Sequence, residues 1–191
     1  FLPAEVDKIL YLDADLICLN DFRELYEVEL GNQLYAAASH NEDGRLLDYV
    51  NKLRLNNFEM DSSYFNTGIL LMNLEAIRHH VQRKDILDFI DKNRNRLILP
   101  DQDVLNGLYA DRVMAIPDEI YNFDARYSLI YQAKSQGKWD LTWVIDHTVF
   151  LHFAGRDKPW KSNYRGRYSG LYKFIASLTR KFEERLKEET L

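Results

Sequence analysis

The stretch KILYLDADLICLNDF, Lys8 to Phe22, ends an apolar run of strand formers with two carboxylates, Asp13 and Asp15. Ile9 to Leu12 and Leu16 to Leu19 read as apolar segments split by the acids, and Asn20 to Tyr26 supplies a capping residue and a short helical turn. In a strand the side chains at i and i+2 share a face, so Asp13 and Asp15 converge while small Ala14 turns away. Adjacent carboxylates repel, and a shared proton, a basic partner or a divalent cation offsets the repulsion. Open α/β sheets bind ligands beyond the carboxyl ends of their strands, which is where this pair falls. A hard cation held with the oxygens of a diphosphate fits that charge and placement, whereas a solvated pair in a turn suffices for an isolated acid-x-acid motif.

Outward from this stretch, strand and helix patterns alternate. Leu34 to Ala38 reads as a short strand, Leu46 to Leu55 has helical spacing, and Ser62 to Met72 is a β-rich run. Leu74 to Arg96 spaces its apolar residues as one or two amphipathic helices, and Pro100-Asp101 opens a helix through about Tyr109 with Asp101 as a cap. Val113 to Ile116 and Thr148 to Phe153 are further short strands. Gly170 to Glu189 is an amphipathic helix with Leu171, Phe174, Ile175, Leu178, Phe182 and Leu186 on one side. The alternation predicts an α/β layer architecture with a mostly parallel or mixed sheet.

At 191 residues, 46% hydrophobic and 29% charged, the chain is long enough to bury a core as one domain, which argues against disordered and fibrous classes. No apolar run approaches the roughly 20 residues that span a bilayer, and FLPAEVDKIL is no signal sequence, so the chain reads as soluble and cytoplasmic. The single Cys18 sits in an apolar context that predicts a buried packing role. The net charge of -5 conceals an asymmetry: Lys158 to Leu191 carries nine Lys or Arg against four Glu, a basic tail on an acidic body. That distribution argues against nucleic-acid binding.

Three further constellations carry chemistry. In Leu151 to Trp160, a strand delivers His152, Gly155 permits close backbone approach, and Lys158 can place a point charge on a phosphate. An imidazole beside two carboxylates moves the expected metal from magnesium towards manganese. In Tyr64 to Gly68, Asn66 and Gly68 either present an amide to a sugar hydroxyl or make the turn into a buried strand. In Asp101-Gln102-Asp103, Asp101 is either an N-cap or, with Gln102, orients a polyol and stabilises positive charge.

Taken together, YLDADLICL, YFNTGILLMNL, LPDQDVLN and HFAGRDKPW, in that order over about Ile9 to Trp160, resemble the retaining nucleotide-sugar glycosyltransferases of family 8. That family includes bacterial lipopolysaccharide galactosyl- and glucosyltransferases, general-stress glycosyltransferases and glycogenin. The resemblance implies a GT-A type, Rossmann-like mixed sheet with flanking helices over residues 1–160, followed by a basic, aromatic helical extension over 161–191. It implies a metal-dependent enzyme that moves glucose or galactose from a UDP-sugar to a glycan or lipopolysaccharide-type acceptor. Asp13, Asp15 and His152 would hold Mn2+, with Mg2+ the alternative, and Asp15 would also approach the ribose. Gly155 and Lys158 would contact the diphosphate. Asn66, Gly68, Asp101 and Gln102 would lie at the donor sugar, with Gln102 at its anomeric face and Asp101 beside it in catalysis.

The resemblance implies several strands and helices ahead of the acid-x-acid strand that hold the uracil, so a sequence starting at Phe1 is expected to be either a fragment of a longer enzyme or one with an incomplete pyrimidine pocket. The expectation is that the chain alone binds UDP weakly or not at all, and that an exposed sheet edge favours homo-oligomers. Lys161, Tyr164, Arg165, Arg167, Tyr168, Tyr172 and Lys173 either hold the chain against the anionic inner membrane, where lipid-linked acceptors are presented, or lie as solvated cations outside a helix packed on the domain. The competing functions are a metal-dependent phosphoesterase or nucleotidyltransferase, and a non-catalytic nucleotide-sugar binding module.

Overall fold

The structure, a computed structural model, describes residues 2–39 and 64–189. The expected helix over Leu46 to Leu55 lies outside these residues. The strands are β1 (Lys8–Leu12), β2 (Leu16–Cys18), β3 (Tyr35–Ser39), β4 (Phe65–Asn73), β5 (Val113–Ile116), β6 (Phe123–Asp124) and β7 (Phe150–His152). They form two mixed sheets, one ordered β1-β4-β3-β5 and the other β2-β7-β6. In the larger sheet β4 runs antiparallel to β1 and β3, while β3 and β5 are parallel. In the smaller, β7 is antiparallel to β2 and parallel to β6.

Strand alternation divides the apolar residues between layers. Ala36, Ala38, Ile69 and Leu71 face one way and pack with Leu25, Ile116, Val149 and Phe150, joining the two sheets. Ala37 and Leu70 face the other way, against Leu105 and Val113, and Phe65 joins them beyond the register shift between β3 and β4 at Ala37 to Ser39. A third cluster holds Ile17 and Leu151 with Phe123, Tyr131, Val144, Phe153 and Tyr168, and Phe123 stacks on Tyr131 with ring centroids 4.2 Å apart.

The described helices are α1 (Arg23–Tyr26), α2 (Leu74–His80), α3 (Arg83–Asn93), α4 (Pro100–Tyr109), α5 (Asp118–Tyr121), α6 (Ser128–Lys134), α7 (Leu141–His147) and α8 (Ser169–Glu189). None is long and apolar enough to cross a membrane. Asn73 caps α2 by accepting from the Ala76 N–H. Helix α4 departs from expectation: Asp101 is not its cap. The buried Asp103 reaches back instead, accepting from the N–H groups of Ile98 and Leu99 at 2.7 and 3.0 Å and from the Tyr64 hydroxyl at 2.6 Å.

Two other expectations are corrected. Cys18 is exposed, because the last residue of β2 turns outward and its thiol bonds the Asn20 carbonyl. The apolar stripe of α8 is only partly packed: Leu171, Tyr172 and Ile175 join the core, whereas Phe174, Leu178, Phe182 and Leu186 lie exposed along the helix beyond it.

Candidate functional site

The segment Asp13-Ala14-Asp15 is a turn in which the chain leaves β1 of one sheet and enters β2 of the other. The two acids therefore converge through the crossover between sheets rather than through strand alternation. The Asp13 N–H donates to the Gly68 carbonyl, and the Phe153 N–H donates to the Asp15 carbonyl, so each acid is pinned to a different sheet. His152, the last residue of β7, is buried between them. Its Nε2 lies 3.2 Å from Asp15 Oδ1 and 3.8 Å from Asp13 Oδ2. One ligand atom from each of the three residues lies within 4.8 Å of the others.

The protonation of this cluster follows from burial and hydrogen bonding. Burial pushes the His152 pKa down, outweighing the nearby carboxylates of Asp15, Asp124 and Asp13 that pull it up. A neutral imidazole carries one N–H, and His152 Nδ1 lies 2.8 Å from the Asn122 side-chain oxygen, so Nδ1 donates and Nε2 keeps a bare lone pair. Three electron-rich atoms then face one another, a donor set that could hold a divalent cation. The nitrogen-plus-two-oxygen set fits manganese or magnesium. Lys158 donates to Asp15 Oδ2 and to the Phe153 carbonyl, and Tyr11 donates to Asp13 Oδ1 at 3.0 Å. The bond to Asp13 raises the Tyr11 pKa.

Behind the histidine runs a line of amides. The Asn66 oxygen accepts from the Gly68 N–H and from Asn122 Nδ2, each at 2.9 Å, and Asn66 Nδ2 donates to Gln102 Oε1 at 3.2 Å. His152, Asn122, Asn66 and Gln102 are thereby bonded in sequence. Thr67 donates to Asp101 Oδ2 at 3.0 Å, fixing the first turn of α4 to β4. Asn106 pairs with both the N–H and the carbonyl of Phe65, at 2.6 and 2.8 Å, which clamps α4 on the entrance of β4.

Gly68 occupies a position that only glycine fills. A Cβ there would stand inside 3.0 Å of His152 Cε1, so the glycine makes room for the imidazole. Gly155 has φ of +88°, and its turn lies against Arg126.

Asn122, Asp124 and Arg126 were not singled out from the sequence. Asn122 and Asp124 are fully buried, and Asp124 pairs in register with His152 across β6 and β7. Arg126 closes on Asp124 through Nε and Nη2, and that bond raises the Arg126 pKa. The sequence offered only a faint signal, polar residues at every second position from Asn122 to Arg126, of which Phe123 and Asp124 alone form the strand.

The profile of glycosyl transferase family 8 matches residues 1–164. A lipopolysaccharide 1,2-glucosyltransferase of Escherichia coli is 30% identical over 168 residues, covering 84% of this chain and 46% of the relative. The chain spans about half the length of that enzyme. Among solved structures, the galactosyltransferase LgtC, in complex with donor and acceptor sugar analogs, superposes with a TM-score of 0.71 at 24% identity, over 92% of this chain and 62% of that one. The glycosyltransferase GlyE of Streptococcus pneumoniae TIGR4 superposes with a TM-score of 0.65 at 27% identity, over 88% of this chain and 38% of that one. The fold is the GT-A type expected from the sequence.

Proposed function

The chain belongs to glycosyl transferase family 8, and we propose that it is the catalytic part of a metal-dependent retaining hexosyltransferase. In this reading glucose or galactose passes from a UDP-sugar to a glycan or lipopolysaccharide-type acceptor. The observation that carries the reading is the convergence of Asp13, Asp15 and the bare Nε2 of a neutral His152 where two sheets meet. A divalent cation bound by these three residues would neutralise the charge that develops on the departing diphosphate.

The protein's own groups account for the rest. Lys158, paired with Asp15, supplies a positive charge beside the same diphosphate, and Gly155 lets the backbone approach it. Asn66 and Gln102, bonded to each other, fix an amide pair for the donor sugar, and Asp101, tied to Thr67, supplies a carboxylate for its developing positive charge. Gln102 is a poor nucleophile, so retention is assigned to attack by the acceptor on the face from which UDP departs.

Calorimetric titration of UDP with and without manganese tests the proposal, repeated on the Asp13→Ala, Asp15→Ala double variant. Manganese-dependent binding that the variant loses, weak in this chain and stronger in one extended upstream of Phe1, is the expected result. Binding indifferent to metal and variant overturns it, as does its absence both here and in a chain extended upstream of Phe1. Release of phosphate or UMP without sugar transfer favours the phosphoesterase reading instead.

A further inference from the structure

Beside the acid and histidine cluster opens a cleft of about 690 Å³ whose wall carries Arg126, Arg156, Lys158, Lys161, Arg165 and Arg167. Asp157 is the one acid among its described lining residues. This concentration of positive charge belongs to a chain of net charge -5. Two of the cations are neutralised inside the protein, Lys158 by Asp15 and Arg126 by Asp124. The other four have no carboxylate partner among the described residues. Lys161 bonds the Arg156 carbonyl and Arg167 bonds Gln132 Oε1, both at 2.9 Å and both neutral acceptors. Arg126 spends Nε and Nη2 on Asp124, and its Nη1 lies beside Gly155, which lines the cleft with it.

Like charges gathered around a concave surface repel, and an anion bound among them relieves the repulsion. Guanidinium groups match the oxygens of a phosphate two at a time, with stronger bonds than neutral donors make. The cleft is lined by Arg156, Arg165 and Arg167 as well as by Lys158, more cations than a single diphosphate at Lys158 calls for. Its volume suits a saccharide.

We infer that this cleft receives the acceptor, and that the acceptor is a phosphorylated saccharide whose phosphate is held by Arg156 and Arg165 with Nη1 of Arg126. The inference rests on the glycosyl-transfer reading above, to which it adds the chemical class of the acceptor. It sets the acceptor phosphate on cations other than Lys158, which is paired with Asp15.

The test is titration of the chain with glucose 6-phosphate and with glucose, each with and without saturating UDP and manganese, beside an Arg156→Gln, Arg165→Gln double variant. The phosphorylated sugar is expected to bind at least about tenfold more tightly than glucose, as charge-assisted bonds imply. That preference should survive UDP and manganese, weaken with salt, and disappear in the double variant while manganese-dependent UDP binding stays as in the parent. Equal affinity for the two sugars, an unchanged preference in the variant, or displacement of glucose 6-phosphate by UDP would each overturn the inference. Binding to phosphatidylglycerol vesicles that the variant loses, without a preference for the phosphorylated sugar, would also overturn it by assigning these cations to a membrane surface. Where the sugar-phosphate preference holds but manganese-dependent UDP binding fails here and in a chain extended upstream, the glycosyl-transfer reading is what fails, and the anion site stands alone.

Discussion

Gly68 and His152 are in such close apposition that a Cβ on the glycine would stand inside 3.0 Å of the imidazole Cε1, 3.0 Å from Nδ1 and 2.9 Å from the Asn66 oxygen. The backbone of β4 thus sets the depth to which the histidine sits. A Gly68→Ala change must displace the ring or the amide network behind it, costing about 1–3 kcal/mol as overpacking does. Manganese affinity, read from the free-ion electron paramagnetic resonance signal, is expected to fall by about tenfold or more, in line with disturbed ligand support. Unchanged manganese binding would mean that the histidine position does not depend on this contact.

Asn122 decides which nitrogen of His152 is bare. Its oxygen accepts from Nδ1–H and its amide nitrogen donates to the Asn66 oxygen, with Asn122 itself fully buried. Asn122→Ala leaves those groups unpaired at a cost of about 1–3 kcal/mol and should weaken manganese binding by about 10–100-fold, the range for partners of metal-bound histidines. Long-range nitrogen–proton correlation spectra are expected to report the Nδ1–H tautomer in the parent. An Nε2–H tautomer would sink this assignment.

Much of this site was legible because its residues announce themselves within short stretches. YLDADL and HFAGRDKPW place acids, imidazole and lysine next to strand patterns, and their boundaries match β1, β2 and β7 closely. The residues that order the site were harder to read. Asn122 ends a four-residue helix and Asp124 lies in the two-residue strand that follows, elements too short for periodicity to fix. The role of Gly68 depends on a histidine 84 positions away in β7, and no local pattern encodes that pairing. The Asp101 cap failed for a related reason. Thr67 takes its carboxylate, and the buried Asp103 serves the helix start from one turn further on.

The proton balance of His152 predicts an acid sensitivity in the metal-free protein. Burial lowers its pKa in the fold, so just below the ordinary histidine value of about 6.5 the unfolded chain binds more protons than the folded one. Stability therefore rises with pH through this window and is lost as the pH falls through it, levelling off below the folded value. Urea midpoints measured between about pH 5 and 8 should drop towards the acid end in the parent, and by less in His152→Asn. An identical pH slope in the two proteins would remove His152 as the cause.

The run Asp101-Gln102-Asp103-Val104-Leu105-Asn106 combines two jobs that mutation can separate. Gln102 is partly exposed and bonds Asn66, whereas Asn106 is buried and pairs with both backbone groups of Phe65 at the mouth of β4. Asn106→Ala strands a buried N–H and carbonyl, so it should lower the free energy of unfolding by about 1–3 kcal/mol. Gln102→Ala removes a partner from a solvent-accessible edge and should leave the urea midpoint nearly unchanged. In the proposed reaction it removes a group aimed at the charge of the transition state, a loss on the order of 100-fold in turnover. Transfer assays with UDP-glucose and UDP-galactose on both variants measure that split. A Gln102→Ala enzyme with full turnover would place the amide outside the chemistry and leave Asn66 and Asp101 to support the sugar.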